Sequence, residues 1–106
     1  MAKYLVQATL TAEGMKGVEK DTGTGRKAAV TKAIEGLGGK VEAFYFSLGD
    51  YDVMVVADLP DIVALTAMNM HVADSGLVRT KTTALLTMEE VNEAIKRKVN
   101  YRPPGR

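Results

Sequence analysis

Residues 41–58, VEAFYFSLGDYDVMVVAD, restrict the fold of this chain more than any other stretch. Two β-rich runs flank Gly49-Asp50, and a two-residue loop with Gly first suits the positive φ of a type II′ hairpin turn. With that turn, Phe46 pairs with Val53 and Tyr45 with Met54. Directly opposed residues share a face of the sheet. One face then holds Phe44, Phe46, Leu48, Tyr51, Val53, Val55 and Ala57 and reads as core. The other holds Ala43, Tyr45, Ser47, Asp52, Met54 and Val56. A solvated face alternates with charged side chains, whereas residues 53–57 are apolar on both sides, as in strands buried on both faces.

The rest of the chain supplies one layer of cover. A strand is expected at 3–10. Residues 11–25, with glycines at 14, 17, 23 and 25, read as a long connection with one irregular helical turn near 15–18. A helix is expected over 26–37, because Ala29, Val30, Ala33, Ile34 and Leu37 recur at three- and four-residue spacing, and Gly38-Gly39 ends it. Pro60 suits the first turn of a second helix capped by Asp58 or Leu59 and running to Asp74. Residues 77–86 read as the fourth strand. Thr87-Met-Glu-Glu90 is a capping box that opens a last helix carrying Met88, Val91, Ile95 and Val99 on one side. The order β-α-β-β-α-β plus a C-terminal helix implies an α+β, ferredoxin-like domain over residues 1–99 with an antiparallel four-stranded sheet, followed by a basic flexible tail at 100–106. The second helix, apolar nearly all round, is expected to lie against the C-terminal helix or a neighbouring subunit.

With 106 residues the chain is one domain with a modest core. Its helices cover only one face of the sheet, so a homodimer packed sheet to sheet, a dimeric α/β barrel, is expected. Residues 1–95 hold 9 basic and 13 acidic side chains, a formal −4, while Lys96, Arg97, Lys98, Arg102 and Arg106 follow with no acid among them. A tail of this kind can touch an acidic surface or nucleic acid. Without a basic stripe interleaved with aromatics, it reads as a solvated segment. The absence of cysteine excludes disulfides and thiolate chemistry. No leader pattern precedes the first strand and no apolar run is of membrane-spanning length, so a soluble cytoplasmic protein is expected.

Candidate chemistry is sparse. If Gln7 and Thr9 share parity with Tyr45, Ser47 and Asp52, and Arg79, Lys81 and Thr83 do so on the fourth strand, the second face is a polar patch of both signs. Arg79 would hold an anion there and Tyr45 act as donor or acid for a small polar ligand; equally, the groups would satisfy one another across a dimer interface. His71, the one histidine, is a general base or ligand candidate, with Asp74 the only carboxylate at helical spacing, which is too little for a metal site. The methionines read as core filling. Gly23-Thr-Gly-Arg26 can cradle an anion on free helical amides but lacks the Walker and dinucleotide patterns; it reads better as a loop with Thr24 capping the helix. There is no Ser-His-Asp order, nucleophile elbow or zinc spacing, and no cofactor is expected.

The combination of Gly38-Gly39-Lys40, Phe44-Tyr-Phe46, Gly49-Asp-Tyr-Asp52, Leu59-Pro-Asp61, Ser75-Gly76, Val78-Arg-Thr80 and Leu86-Thr87 resembles the GYD domain family. That resemblance implies the dimeric α/β barrel superfamily. Relatives on this scaffold include cofactor-independent monooxygenases, isomerases, haem-handling enzymes and effector-binding modules. Two functions are therefore carried forward: an oligomeric ligand- or partner-binding module, and a small enzyme of the monooxygenase or isomerase type using Tyr45, Asp52, His71 or Arg79.

Overall fold

The computed structural model describes all 106 residues. Its elements are β1 (Ala2–Leu10), α1 (Ala12–Gly36), β2 (Lys40–Phe46), β3 (Val53–Leu59), α2 (Ile62–Asp74), β4 (Val78–Leu85) and α3 (Met88–Lys96). The strands form one antiparallel sheet in the order β2-β3-β1-β4, the ferredoxin-like arrangement expected from the sequence. Tyr4, Ala8, Val53, Val55, Ala57 and Leu59 form the sheet side of the core, and Ile34 of α1 and Leu65 of α2 close it.

The hairpin register is as the sequence implied: Phe46 faces Val53 and Tyr45 faces Met54. The ladder stops earlier than a two-residue turn would allow. Ser47 donates its amide to the Asp52 carbonyl at 2.8 Å, but the Asp52 amide turns away to the Ala8 carbonyl at 2.8 Å, so residues 47–52 form a longer connection. Leu48 consequently lies fully exposed at its tip rather than on the core face. A bulge between Val41 and Ala43 displaces Glu42 from the ladder.

The largest departure from the sequence reading is α1. Residues 12–36 are helical almost throughout, where a long connection was expected up to residue 25. Thr11 caps the start, accepting the Gly14 amide at 3.1 Å while its own amide and hydroxyl donate to the Leu77 carbonyl. Gly14 is required because a Cβ there would collide with that same carbonyl oxygen. The helix breaks only at Thr22, whose φ of 68° and ψ of 166° lie in a region otherwise almost confined to glycine. The Thr22 hydroxyl accepts the Gly25 amide at 3.3 Å, so Thr22, not Thr24, caps the second half. The end at Gly38 is as expected, with φ of 84° and its amide on the Glu35 carbonyl.

Asp61 caps α2 in place of Asp58 or Leu59, accepting the Ala64 amide at 2.8 Å. The capping box of α3 forms as the sequence indicated, with Glu90 and Thr87 exchanging hydrogen bonds at 2.9 and 3.1 Å. The helix it opens does not lie against α2: α3 makes no more than glancing contacts with its own chain. The molecule measures 57 × 32 × 24 Å with a radius of gyration of 16.9 Å. A compact chain of this length would have about 13 Å, and the excess is the projecting arm.

Candidate functional site

The sheet has two unlike faces, and the register assigns the candidate residues to them. Gln7 pairs with both Met54 and Lys81, Thr9 with Arg79, Leu5 with Val56 and Thr83, and Tyr45 with Met54. The fourth-strand parity inferred from sequence therefore holds. Tyr45, Met54, Gln7 and Lys81 form one row across the face that no helix covers.

This open face does not concentrate its polar groups. Tyr45 stands on edge strand β2 and Arg79 on edge strand β4, three strand spacings apart, or roughly 14 Å. Within one chain they cannot grip the same small molecule. Asp52 is already committed: its Oδ2 accepts the Leu10 amide at 2.8 Å, closing the end of β1. At the far end of the face Lys3 donates to Glu42 at 2.9 Å and lies 3.0 Å from Asp58. The hydrogen bond to Glu42 first, and that to Asp58 second, raise the Lys3 pKa above its ordinary 10.5.

The other face holds a cavity of about 460 Å³ between the sheet and the two long helices. Its floor is Val6, Ala8, Val53, Val55, Phe44 and Phe46, the last two rings meeting edge to face at 5.8 Å. Its roof is α1 on both sides of the Thr22 break, from Gly14 to Ala33, and its far wall is the C-terminal half of α2. Gly17 leaves room under this roof, since a Cβ there would meet nothing within 4 Å, whereas Gly14 is packed against the Leu77 carbonyl. Most lining side chains are apolar, and the polar exceptions are Asp21, Arg26, His71, Ser75 and Thr80.

These polar groups come from two places. Asp21 and Arg26 flank the break at Thr22, with Arg26 Nη1 3.6 Å from Asp21 Oδ2, a loose and half-exposed pair able to exchange partners. His71 Nδ1 lies 2.9 Å from the Ala67 carbonyl oxygen. A carbonyl only accepts, so Nδ1 carries a proton and Nε2 of the neutral ring keeps its lone pair. Such a cavity can take a molecule with a large apolar part and a polar end, oriented by a few hydrogen bonds.

The structure thus separates the sequence candidates. His71 lines the cavity, while Tyr45, Asp52 and Arg79 belong to the strands of the open face or its rim. Asp21, Ser75 and Thr80 escaped the sequence reading, and Arg26 entered it only as the last residue of the Gly23-Thr-Gly-Arg26 segment weighed as an anion cradle. No three His, Asp or Glu side chains gather as a metal ion would need, and no helix is long and apolar enough to cross a membrane.

The family model for the GYD domain matches residues 4–95, spanning every strand and nearly all of α3. No curated protein and no solved structure matches the chain. The matched span covers the ferredoxin-like unit from within β1 to α3, including the cavity and nearly all of the open face, and the chain belongs to the GYD domain family.

Proposed function

We propose that this chain is an oligomeric binding module that holds a small, mainly apolar molecule with one polar end. The observation that carries this reading is the 460 Å³ cavity between the sheet and α1 and α2. Its size falls within the roughly 300–1,000 Å³ of small-molecule sites. Its lining matches their usual character, an apolar wall with few polar groups. The ligand's polar end meets Arg26 or His71, and its body lies on Phe44 and Phe46. Native mass spectrometry of the protein as purified tests this: a small-molecule adduct is expected, and it should vanish in Gly17→Leu, whose side chain fills the space. A wild-type protein that carries nothing, and binds a naphthalene-sized probe no better than Gly17→Leu does, would overturn the reading.

The oligomer of this proposal is a homodimer paired through the open face. Leu5, Met54 and Val56 occupy its centre without any covering helix, and only nine residues of the chain are buried in the monomer. Light scattering on the eluting protein at micromolar concentration tests it, and a clean monomer would exclude it.

A second reading, a small enzyme of the monooxygenase or isomerase type, is favoured by one observation. His71 lines a mainly apolar site with Nδ1 engaged by the Ala67 carbonyl, which leaves Nε2 as the nitrogen placed to act as a general base. A turnover assay on the co-purifying molecule separates the readings: a catalyst loses its turnover in His71→Gln, whereas a binding module releases its adduct unchanged.

A further inference from the structure

Two helical stripes of this molecule are apolar and uncovered. One is on α3, where Met88 is 68 % and Ile95 76 % exposed, with Val91 between them at helical spacing; the helix ends at Lys96, so Val99 lies beyond it and not on the stripe expected from the sequence. The other is on the outer side of α2, where Ile62, Val63 and Met70 are exposed while Leu65 points into the core. A nine-residue helix is too short to persist alone in water, where lengths of about 12–15 residues are already marginal. Its capping box fixes where it begins; only burial of its apolar side can hold it. Two residues, Leu86 and Thr87, join it to edge strand β4, and it projects from the body without covering its own α2.

We infer that α3 and the basic tail form an arm that docks on the outer stripe of α2 in a second copy of this chain. Charge favours this occupant. Residues 59–78, which contain α2, carry Asp61 and Asp74 and no lysine or arginine, while the tail at 96–106 carries five cations and no acid; with Glu89, Glu90 and Glu93 of α3 counted, the arm at 88–106 remains net positive. Net basic arm and acidic helix belong to the same sequence, so two copies are mutually complementary through the tail. Position favours it too. Lys3 pairs with both Asp58 and Leu85, so β3 and β4 end at the same end of the sheet. The root of the arm and the Ile62 end of α2 therefore lie together, and a two-fold axis there lets each copy give and receive an arm. This contact uses the helix side of the molecule and is independent of pairing through the open sheet face.

The chain has no cysteine, so Ile95→Cys in the full-length protein gives a single site for a benzophenone photocrosslinker. Labelled light protein is mixed with unlabelled ¹⁵N protein at tens of micromolar and irradiated. Light-to-heavy products joined within residues 62–74 are expected. Their yield should fall tenfold or more in Met70→Lys, an exposed site that leaves the circular dichroism unchanged. It should also fall as salt rises from about 50 to about 500 mM, since the attraction is screened. Crosslinks confined to one chain, crosslinks to the sheet, or none at all would overturn the inference. A dimer by light scattering that gives no such crosslink would remove the arm contact and leave sheet pairing standing.

Discussion

Asp52 accepts the backbone amide of Leu10 through its Oδ2 at 2.8 Å, tying the start of the second hairpin strand to the last residue of the first strand. The same residue gives its own amide to the Ala8 carbonyl. Its carboxylate thus completes the end of an interior strand, where the ladder between β1 and β3 stops at Ala8 and would otherwise leave a donor unpaired. Asp52→Ala should lower stability by about 1–3 kcal/mol, which for a domain of this size shifts the melting temperature by roughly 4–8 °C per kcal/mol. Asp52→Asn keeps an acceptor oxygen and should recover most of the loss. Thermal unfolding at one fixed protein concentration checks both, and an Asn variant as unstable as the Ala variant would refute the assignment.

Thr22 gives a test with an inverted sign. In an ordinary helix Ala is more favourable than Gly by about 1 kcal/mol. At φ 68°, ψ 166° the order should reverse. Thr22→Ala keeps the strained backbone and loses the cap to Gly25, while Thr22→Gly relieves strain of about 1–3 kcal/mol. Denaturant titration should rank Gly above Ala by about 1–2 kcal/mol.

Gly17→Leu should raise stability, since it replaces a mid-helix glycine and puts apolar atoms into empty space. An increase of about 1–2 kcal/mol combines the propensity term with part of the burial. The same change should abolish adduct formation. A destabilised variant would mean that the cavity wall cannot receive a side chain.

Lys3 sets a dependence on alkaline pH. Its pKa in the folded chain is raised above 10.5, so its ion pairs stabilise the fold fully below that value and are lost as pH rises through the higher folded value. Lys3→Met should be less stable than the wild type at neutral pH. The difference should shrink above pH 10.5 and be absent once Lys3 is neutral in both states. Urea midpoints measured across that window check the sign.

Val56→Lys places a charge at the centre of the open face, beside Leu5. If two sheets pair there, the buried unpaired ammonium should weaken association a hundredfold or more, at about 1.4 kcal/mol per tenfold. Light scattering should then give a monomer with unchanged circular dichroism.

Much of this architecture was legible in local chemistry. The hairpin register followed from alternation around Gly49-Asp50, and the α3 start from Thr87 and Glu90, because each is fixed by residues a few positions apart. The parity of Gln7, Thr9, Arg79 and Lys81 followed from the same period of two. The N-terminal half of α1 did not, because its glycines oppose helix formation locally and are there for contacts with Leu77 and for open space, which only the tertiary fold creates. The cavity was hidden for the same reason: it depends on how α1 sits over the sheet and on the side chain missing at 17. Asp52 looked like a ligand group because a sequence does not show that the Leu10 amide needs an acceptor.

The strand order β2-β3-β1-β4 has a consequence for the route by which the sheet assembles. The first strand in the sequence is an interior one, and its two neighbours are the third and the fourth. Its partners on one side are residues 78–85, so half of its hydrogen bonds close across most of the domain. Pairing between segments so distant in sequence is entropically costly and slow to form. A chain cut before β4 therefore keeps β1 with one side unpaired, an edge open to pairing with other chains.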